Sequence, residues 1–469
     1  MIQKAESKIS VSEEKTFAGE IESAAFGGNG ILHKNNKVVF IPFSAPGDVI
    51  NYRIIQEKQN FSIGEIQEIL KPSPDRTAPP CPLYGKCGGC QFQHITYEAS
   101  LREKSKILEN LFIHGLGIKT VPQEKPLPSP SPYFYRNKLQ AAVGKNEKGG
   151  ITIGLFEPKT HKIVDMTQCF IEEEANNAAL TFVRKGIVEM GWEPYNEETN
   201  SGLIRHILLR TNRKRETYLA IVAKNPSLPE WERFLKIINP EILKLKGLIL
   251  NVNPDKTNAV LGRKNLVLWG EKFFEETIGN YQYLIGATSF FQVNSLILET
   301  LIQKVLEWTG AHSKDTVLDA FCGIGTFTIP LAKTVKKVIG IENNKEAVEL
   351  ARKNSILNQV SNIEWIHGKV ETALQRIRSN TFPIALLDPP RKGLNEKELK
   401  ELIRLNPSKI LYLSCNPPTQ IRDVKNFLEA GWNLKKTALI DLFPQTAQIE
   451  SLALLEKENI DRSLHSQTV

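Results

Sequence analysis

The chain has 469 residues, 41% hydrophobic and 24% charged, the balance of a globular protein of about three domains. Its 60 Lys+Arg against 52 Asp+Glu leave a net charge of +8, compatible with a polyanionic partner. No apolar run reaches membrane-spanning length and the opening MIQKAESKIS lacks an apolar leader core, so membrane classes are excluded and a cytoplasmic protein is predicted. Six cysteines, unevenly spread, exclude a disulfide scaffold.

Residues Thr16 to Leu70 alternate short strands with Gly/Asn turns: Phe26-Gly27-Gly28-Asn29-Gly30, Lys37-Val38-Val39-Phe40-Ile41-Pro42 and Ala45-Pro46-Gly47-Asp48-Val49-Ile50. Short strands punctuated by turns predict a small β-barrel over 1–72. The glycine-rich turn and the V-V-F-I-P…P-G-D pattern resemble a TRAM domain, an OB-like RNA-binding module. That resemblance makes Phe26 a base-stacking candidate, and Lys34, Lys37 and Arg53 phosphate contacts.

A central domain is predicted over 73–280. It opens with Cys81, Cys87 and Cys90 at C-x5-C-x2-C among glycines, a loop whose thiolates can converge on a metal. Iron–sulfur clusters take four thiolates and structural zinc four ligands. Cys169 is the remaining cysteine before the C-terminal third, and spacing alone does not add it to the triplet. A helix is predicted over Ile95–Leu116 from its apolar period, then a proline-rich connector, Val121–Pro132. Strands follow at Tyr133–Val143, Ile151–Phe156, Leu203–Arg210, Thr217–Val222 and Gly247–Val252, suggesting a mainly antiparallel region. Its densest basic turns are Arg136-Asn137-Lys138 and Arg210 to Arg215, readable as RNA contacts or as solvated turns.

The period changes in the third domain, 281–469. Helix Leu296–Trp308 precedes strand Thr316–Asp319, a glycine turn (Phe321-Cys322-Gly323-Ile324-Gly325-Thr326) and a helix. A second strand ends in Glu342 and a third in Asp388-Pro389-Pro390-Arg391. Strand, glycine turn, helix, strand and acid make the pattern of a nucleoside-binding βαβ unit, with the acid accepting ribose hydroxyls. The turn lacks the full dinucleotide fingerprint, so S-adenosylmethionine fits better than a dinucleotide.

Cys415 ends the buried run Ile410–Leu413 and is followed by Asn416-Pro417-Pro418. It therefore sits at the carboxyl end of a strand, where open α/β sheets place their chemistry. Downstream lies Glu450. A thiolate and a carboxylate beside a methyl donor suit methylation of a pyrimidine at C5. Attack of Cys415 on C6 makes C5 nucleophilic, and Glu450 then removes the C5 proton so that the thiolate can leave.

Cys415 in Ser-Cys-Asn-Pro, the D-P-P-R-x-G run at Asp388, Phe290-Phe291-Gln292-Val293-Asn294 and Pro444-Gln445-Thr446…Glu450 together resemble the RNA uracil-5-methyltransferase family along essentially the whole chain. With the barrel and cysteine segment, the chain is more similar to the branch acting on 23S rRNA than to the tRNA branch. The resemblance implies a Rossmann-like class I methyltransferase domain and a [4Fe-4S] cluster on Cys81, Cys87, Cys90 and Cys169. It also implies methyl-donor contacts from Gln292, Phe321, Glu342 and Asp388, with Thr326 at a donor position often held by asparagine. Cys415 and Glu450 are implied as nucleophile and base, and a monomer is expected. Gln448 stands where the family usually has histidine. The rival readings are a cytosine-5-methyltransferase, an amino-methyltransferase and a non-catalytic RNA-binding iron–sulfur sensor. D-P-P-R, with no aromatic after the prolines, favours uracil C5.

Overall fold

The structure is a computed structural model that describes residues 15–257 and 259–457. The opening MIQKAESKIS and the polar tail beyond Asn459, expected to fray, lie outside the described residues.

Six strands form the first sheet: β1 (Thr16–Glu20), β2 (Ser23–Ala24), β3 (Gly30–Lys34), β4 (Lys37–Ile41), β5 (Val49–Glu57) and β6 (Phe61–Lys71). Their order is β1-β5-β6-β4-β3-β2. The two edges are successive pieces of one extended segment, joined where Ile21 N donates to Asp48 O (2.9 Å) and Glu22 N to Ile31 O (2.8 Å). The sheet thus curls back on itself around Ile21, Leu32, Val39, Ile41, Ile50 and Tyr52. Buried Asp48 accepts from the backbone of Ala45 and Ser73 and pairs with Arg76, locking the barrel to the segment that leaves it.

Helix α1 (Tyr97–Leu116) starts where the Thr96 hydroxyl accepts from Ala99 N and stops at Gly117 with φ 68°. Its apolar face (Ala99, Ile107, Leu108, Phe112) packs on Leu439, Ile449 and Ala453 from the far end of the chain. The second sheet contains β7 (Lys138–Lys145), β8 (Ile151–Phe156), β9 (Ile163–Asp165), β10 (Ile204–Thr211), β11 (Thr217–Ala223), β12 (Leu245–Val252) and β13 (Lys264–Gly270). It is ordered β13-β12-β11-β10-β7-β8-β9, and only β11 and β12 run parallel. Helices α2 (Glu174–Met190) and α3 (Trp231–Ile238) cover one face. The other face lends Leu208, Tyr218, Ala220 and Ile249 to the core of the C-terminal region. β7 begins later than the predicted Tyr133. Phe134 has φ 52°, and the next backbone groups bond outward, Arg136 N to Ile171 O and Asn137 N to Val293 O.

A hairpin, β14 (Phe274–Ile278) and β15 (Tyr281–Ile285), leads into the last unit. There α4 (Ser295–Thr309), β16 (Thr316–Ala320), α5 (Thr328–Ala332), β17 (Lys337–Glu342), α6 (Lys345–Leu357) and β18 (Ile363–His367) follow in turn. Next come α7 (Val370–Gln375), β19 (Ile384–Leu387), α8 (Glu396–Leu405), β20 (Lys409–Ser414), α9 (Pro417–Glu429), β21 (Trp432–Ile440) and β22 (Glu450–Lys457). The sheet order is β18-β17-β16-β19-β20-β22-β21; the first five strands are parallel, and β22 runs antiparallel to both neighbours. Strand order reverses between β16 and β19, the switch point outside which open α/β sheets bind ligands.

The expected metal-holding role of the central domain is corrected by this arrangement. Among the described residues, no group of three or more His, Cys, Asp or Glu side chains is arranged to hold a metal ion. Cys81, Cys87, Cys90 and Cys169 are free thiols. The loop is braced instead by its own hydrogen bonds: Gly89 N to Cys87 Sγ (3.4 Å), Tyr84 Oη to Gln91 O (2.7 Å) and Cys81 N to Gln93 Oε1 (3.3 Å). Cys169 packs against the apolar core under α2. Burial pushes the Cys90 and Cys169 thiols up to about 12. The [4Fe-4S] cluster therefore leaves both the fold description and the set of cofactors. No helix among the described residues is long and apolar enough to cross a membrane.

Candidate active site

The site residues share one edge of the last sheet because of strand direction. Asp319 is near the carboxyl end of β16, Glu342 ends β17, Asp388 follows β19 and Cys415 follows β20. Glu450 opens β22, which runs the other way; Ser414 pairs with Ser451 and Ile440 with Glu450. The antiparallel turn of the chain thus returns a distant carboxylate to the end of β20.

The glycine turn after β16 fits a nucleoside. Phe321, Gly323 and Gly325 all have positive φ (70°, 55° and 91°), and a Cβ on Gly323 would meet nothing within 4 Å. The Glu342 carboxylate accepts from Gly323 N (3.1 Å) and Asn344 N (2.7 Å), which fixes it beside the turn. Asp319 accepts from the Thr328 hydroxyl at 2.5 Å. Burial raises its carboxyl to about 7, against that hydrogen bond and helped by Glu342. Asp388 is also raised to about 7, by burial and then by the charge of Asp319. Two acids held this far up, Asp319 buried and Asp388 half-buried, form a site that gains from a cation. Thr326 is buried, and its carbonyl accepts from the Tyr283 hydroxyl (3.0 Å). Gln292 is buried in the segment before α4, with its carbonyl held by Asn137 Nδ2 at 3.0 Å.

At the reacting end, Cys415 is half-buried between β20 and α9. Pro417 and Pro418 do more than end the strand: they occupy the first helical positions of α9, where missing N–H groups are harmless and φ is preset. Burial pushes the Cys415 thiol up, and Glu450 and Asp388 add to the rise. Arg391 opposes it through its charge and a hydrogen bond. Glu450 is 3% exposed; burial and the charge of Asp388 hold its carboxyl well above the usual range, again against Arg391. Cys415, Glu450, Asp388 and Arg391 therefore act on one another. Arg391 also donates to Gln448 Oε1 (3.3 Å), while its carbonyl accepts from Asn416 Nδ2 (2.8 Å). The glutamine at the usual histidine position thus anchors the arginine that faces the thiol.

Arg391 and Asp319 are the site members that motif reading left without a role. The signal for Arg391 was its place in D-P-P-R, three residues after Asp388 in a loop that must turn beside the same strand ends. The basic turns divide: Arg213, Lys214 and Arg215 are exposed, as a solvated turn would be, while several cations also bond inward. Arg136 pairs with buried Glu172 at 2.9 Å, Arg210 is fully buried and donates to the carbonyl of Ser289, and Arg213 donates to Ser295 O. Arg210 and Arg213 thereby join the central sheet to the segment carrying Gln292. At the barrel, Gly28 (φ 90°) lies so close to the site loop that a Cβ there would stand 3.1 Å from Ala447 Cβ, and neighbouring Phe26 is 45% exposed.

Comparison with known proteins agrees with this architecture. The family described as tRNA (Uracil-5-)-methyltransferase matches residues 262–458. An uncharacterised RNA methyltransferase of Halalkalibacterium halodurans is 34% identical over 94% of this chain and 96% of its own. One from Clostridium acetobutylicum is 35% identical over 96% and 99%. Among solved structures, the Pyrococcus abyssi tRNA (uracil-54, C5)-methyltransferase in complex with S-adenosyl-L-homocysteine superposes with a TM-score of 0.74 at 29% identity, over 94% of this chain and 100% of that one. The chain belongs to the S-adenosylmethionine-dependent RNA (uracil-5-)-methyltransferase family.

Proposed function

We propose that the protein methylates C5 of a uridine in a structured RNA through a covalent bond between Cys415 Sγ and C6 of the base. The observation that carries this reading is the convergence, on one sheet edge, of a thiol, a buried carboxylate, Asp388 and Arg391. The Cys415 thiolate adds to C6, and the C5–C6 π electrons move toward the O4 carbonyl, forming an enolate. S-adenosylmethionine, when bound, supplies the methyl group that C5 accepts; Glu342, Asp388, Phe321, Gln292 and Thr326 are the residues proposed to hold it. Glu450 then takes the C5 proton, the C5=C6 bond re-forms and the sulfur leaves. Glu450 enters that step ionised, and the burial that raises its carboxyl then favours its taking the proton. Arg391 stabilises the thiolate and, through Gln448, ties it to the loop carrying the base.

A tRNA substrate is the better supported of the two RNA classes. The expectation of 23S rRNA leaned on the barrel and the cysteine segment together, and the cysteines are not arranged to hold the cluster; a solved structure similar over 94% of this chain is a tRNA enzyme. The experiment is to incubate the protein with methyl-labelled S-adenosylmethionine and, separately, unmodified tRNA and 23S rRNA transcripts, then digest to nucleosides. Label in 5-methyluridine from tRNA is expected. Label confined to 23S rRNA would reverse the substrate assignment, and label in 5-methylcytidine would reject the uridine reading.

A further inference from the structure

The loop that joins β21 to Glu450 is held almost entirely from outside its own sheet. Lys104 Nζ in α1 donates to Asp441 Oδ1 (2.8 Å) and to Phe443 O (2.9 Å). Asn294 Nδ2 donates to Leu442 O (3.3 Å) and Tyr135 Oη to Pro444 O (2.9 Å). Gln91 N and Phe92 N both donate to Gln445 O at 3.0 Å, and Ala447 N to Gln91 Oε1 at 2.9 Å. Of these grips, the Lys104 ammonium alone is a fully buried charge: Lys104 is 0% and Asp441 1% exposed. Asp441 is also the residue directly after Ile440, the cross-strand partner of Glu450. Lys104 therefore fixes the chain next to Glu450's partner and again two residues on, and among the described residues no other side chain donates to both points.

Burying an ammonium and a carboxylate is costly unless geometry and further hydrogen bonds compensate. Apolar packing between α1 and β21–β22 already exists through Leu108, Phe112, Leu439 and Ala453, so cohesion alone does not require the pair. What it adds is direction: a charge pair with a second hydrogen bond permits one placement of the loop, where apolar contact permits several. Removal of a proton from C5 needs the base within hydrogen-bond reach, and a misplacement of about 1 Å costs roughly 100-fold.

We propose that Lys104 is a positioning residue for the proton-removal step: by gripping Asp441 and Phe443 it sets Glu450 against the C5 proton. This rests on the reading of Glu450 as the base. It separates two steps that ordinary destabilisation would slow together. Cys415 addition and methyl transfer depend chiefly on β20, α9 and the β16–β19 edge, whereas the hydrogen bonds of Lys104 go to Asp441 and Phe443 of the loop. Resolution of the adduct depends on Glu450.

The test is single-turnover methylation of a tRNA transcript with methyl-labelled S-adenosylmethionine, following label in the SDS-resistant protein–RNA adduct and in free RNA. For Lys104→Met, the expected result is methyl transfer near the wild-type rate and unchanged donor affinity, with release slowed roughly 10- to 100-fold, so that labelled adduct accumulates. Equal slowing of both steps, or unchanged release, would overturn the proposal. Because Lys104→Met leaves Asp441 buried and unpaired, the double variant Lys104→Met/Asp441→Leu is measured beside it. It is expected to recover the thermal midpoint and keep the slow release; recovery of release as well overturns the positioning role. A wild-type protein that methylates uridine without ever linking to RNA overturns this inference and the covalent reading together, whereas a wild-type adduct with no effect of Lys104 overturns only the inference.

Discussion

Replacing Glu450 by glutamine separates catalysis from stability. The side chain is 3% exposed and has no hydrogen-bond or ion-pair partner among the described residues, so glutamine of the same shape breaks no contact. It removes a carboxyl that burial and the charge of Asp388 hold well above its usual range. Such a group stabilises the fold below its unfolded pKa, about 4.3, and that contribution is lost as pH rises through the folded pKa. The variant should therefore match the wild type in thermal midpoint near pH 4 and exceed it increasingly as pH rises. Activity should move the opposite way. A positioned general base is worth about 10²- to 10⁴-fold, or roughly 3–5 kcal/mol of barrier, and the loss should fall on adduct resolution. The assay pairs unfolding curves at several pH values with a denaturing gel of protein incubated with RNA and labelled methyl donor. A stable labelled adduct is expected. Turnover within about tenfold of wild type would refute the assignment of Glu450 as the base.

Other consequences are open to simple measurement. Asp319 and Asp388, both raised to about 7, become anionic as pH rises through that value, so the Kd of the cationic methyl donor should fall across the same range; Asp388→Asn should flatten the titration, and an unchanged profile would contradict the role of these acids. Arg391→Met removes the cation that opposes the rise of the Cys415 thiol, so the thiolate limb of the rate–pH profile should move to higher pH, with Arg391→Lys intermediate. At Gly28 (φ 90°) a Cβ would lie 2.9 Å from Gln91 Cβ and 3.1 Å from Ala447 Cβ. Gly28→Val should therefore strain the turn by about 1–3 kcal/mol and lower turnover on RNA while leaving donor binding intact, as measured by calorimetry beside RNA kinetics.

Local chemistry made part of this site legible. The buried run before Cys415 reads as a strand and is one, β20; the acid after the second strand and the D-P-P after the third lie at strand ends because parallel strands put successive carboxyl termini on one edge. The prolines at 417 and 418 read as a strand stop, and the structure shows that they also start α9. What stayed hidden depends on long-range return. Glu450 is named by its motif, but its route to the site, through β22 running antiparallel beside β20, is not, and Lys104 meets Asp441 across 337 positions; neither pattern has a local period. The cysteine segment misled for a related reason. C-x5-C-x2-C shows that three thiols are near one another in the chain, but not that their side chains turn toward one point. Among the described residues the thiols do not form a group arranged to hold a metal ion. Arg136 and Arg210 were equally opaque, since one letter does not distinguish a cation facing RNA from one bonded to a buried carboxylate or carbonyl.

The covalent bond between Cys415 and the base is the claim on which the reaction depends. The direct measurement is mass spectrometry of the Glu450→Gln protein after reaction with a methylatable RNA, nuclease trimming and proteolysis. A methylated uridine nucleotide on the peptide containing Cys415, lost in Cys415→Ala, is the predicted result. Methylated RNA formed by the Cys415→Ala protein would contradict it.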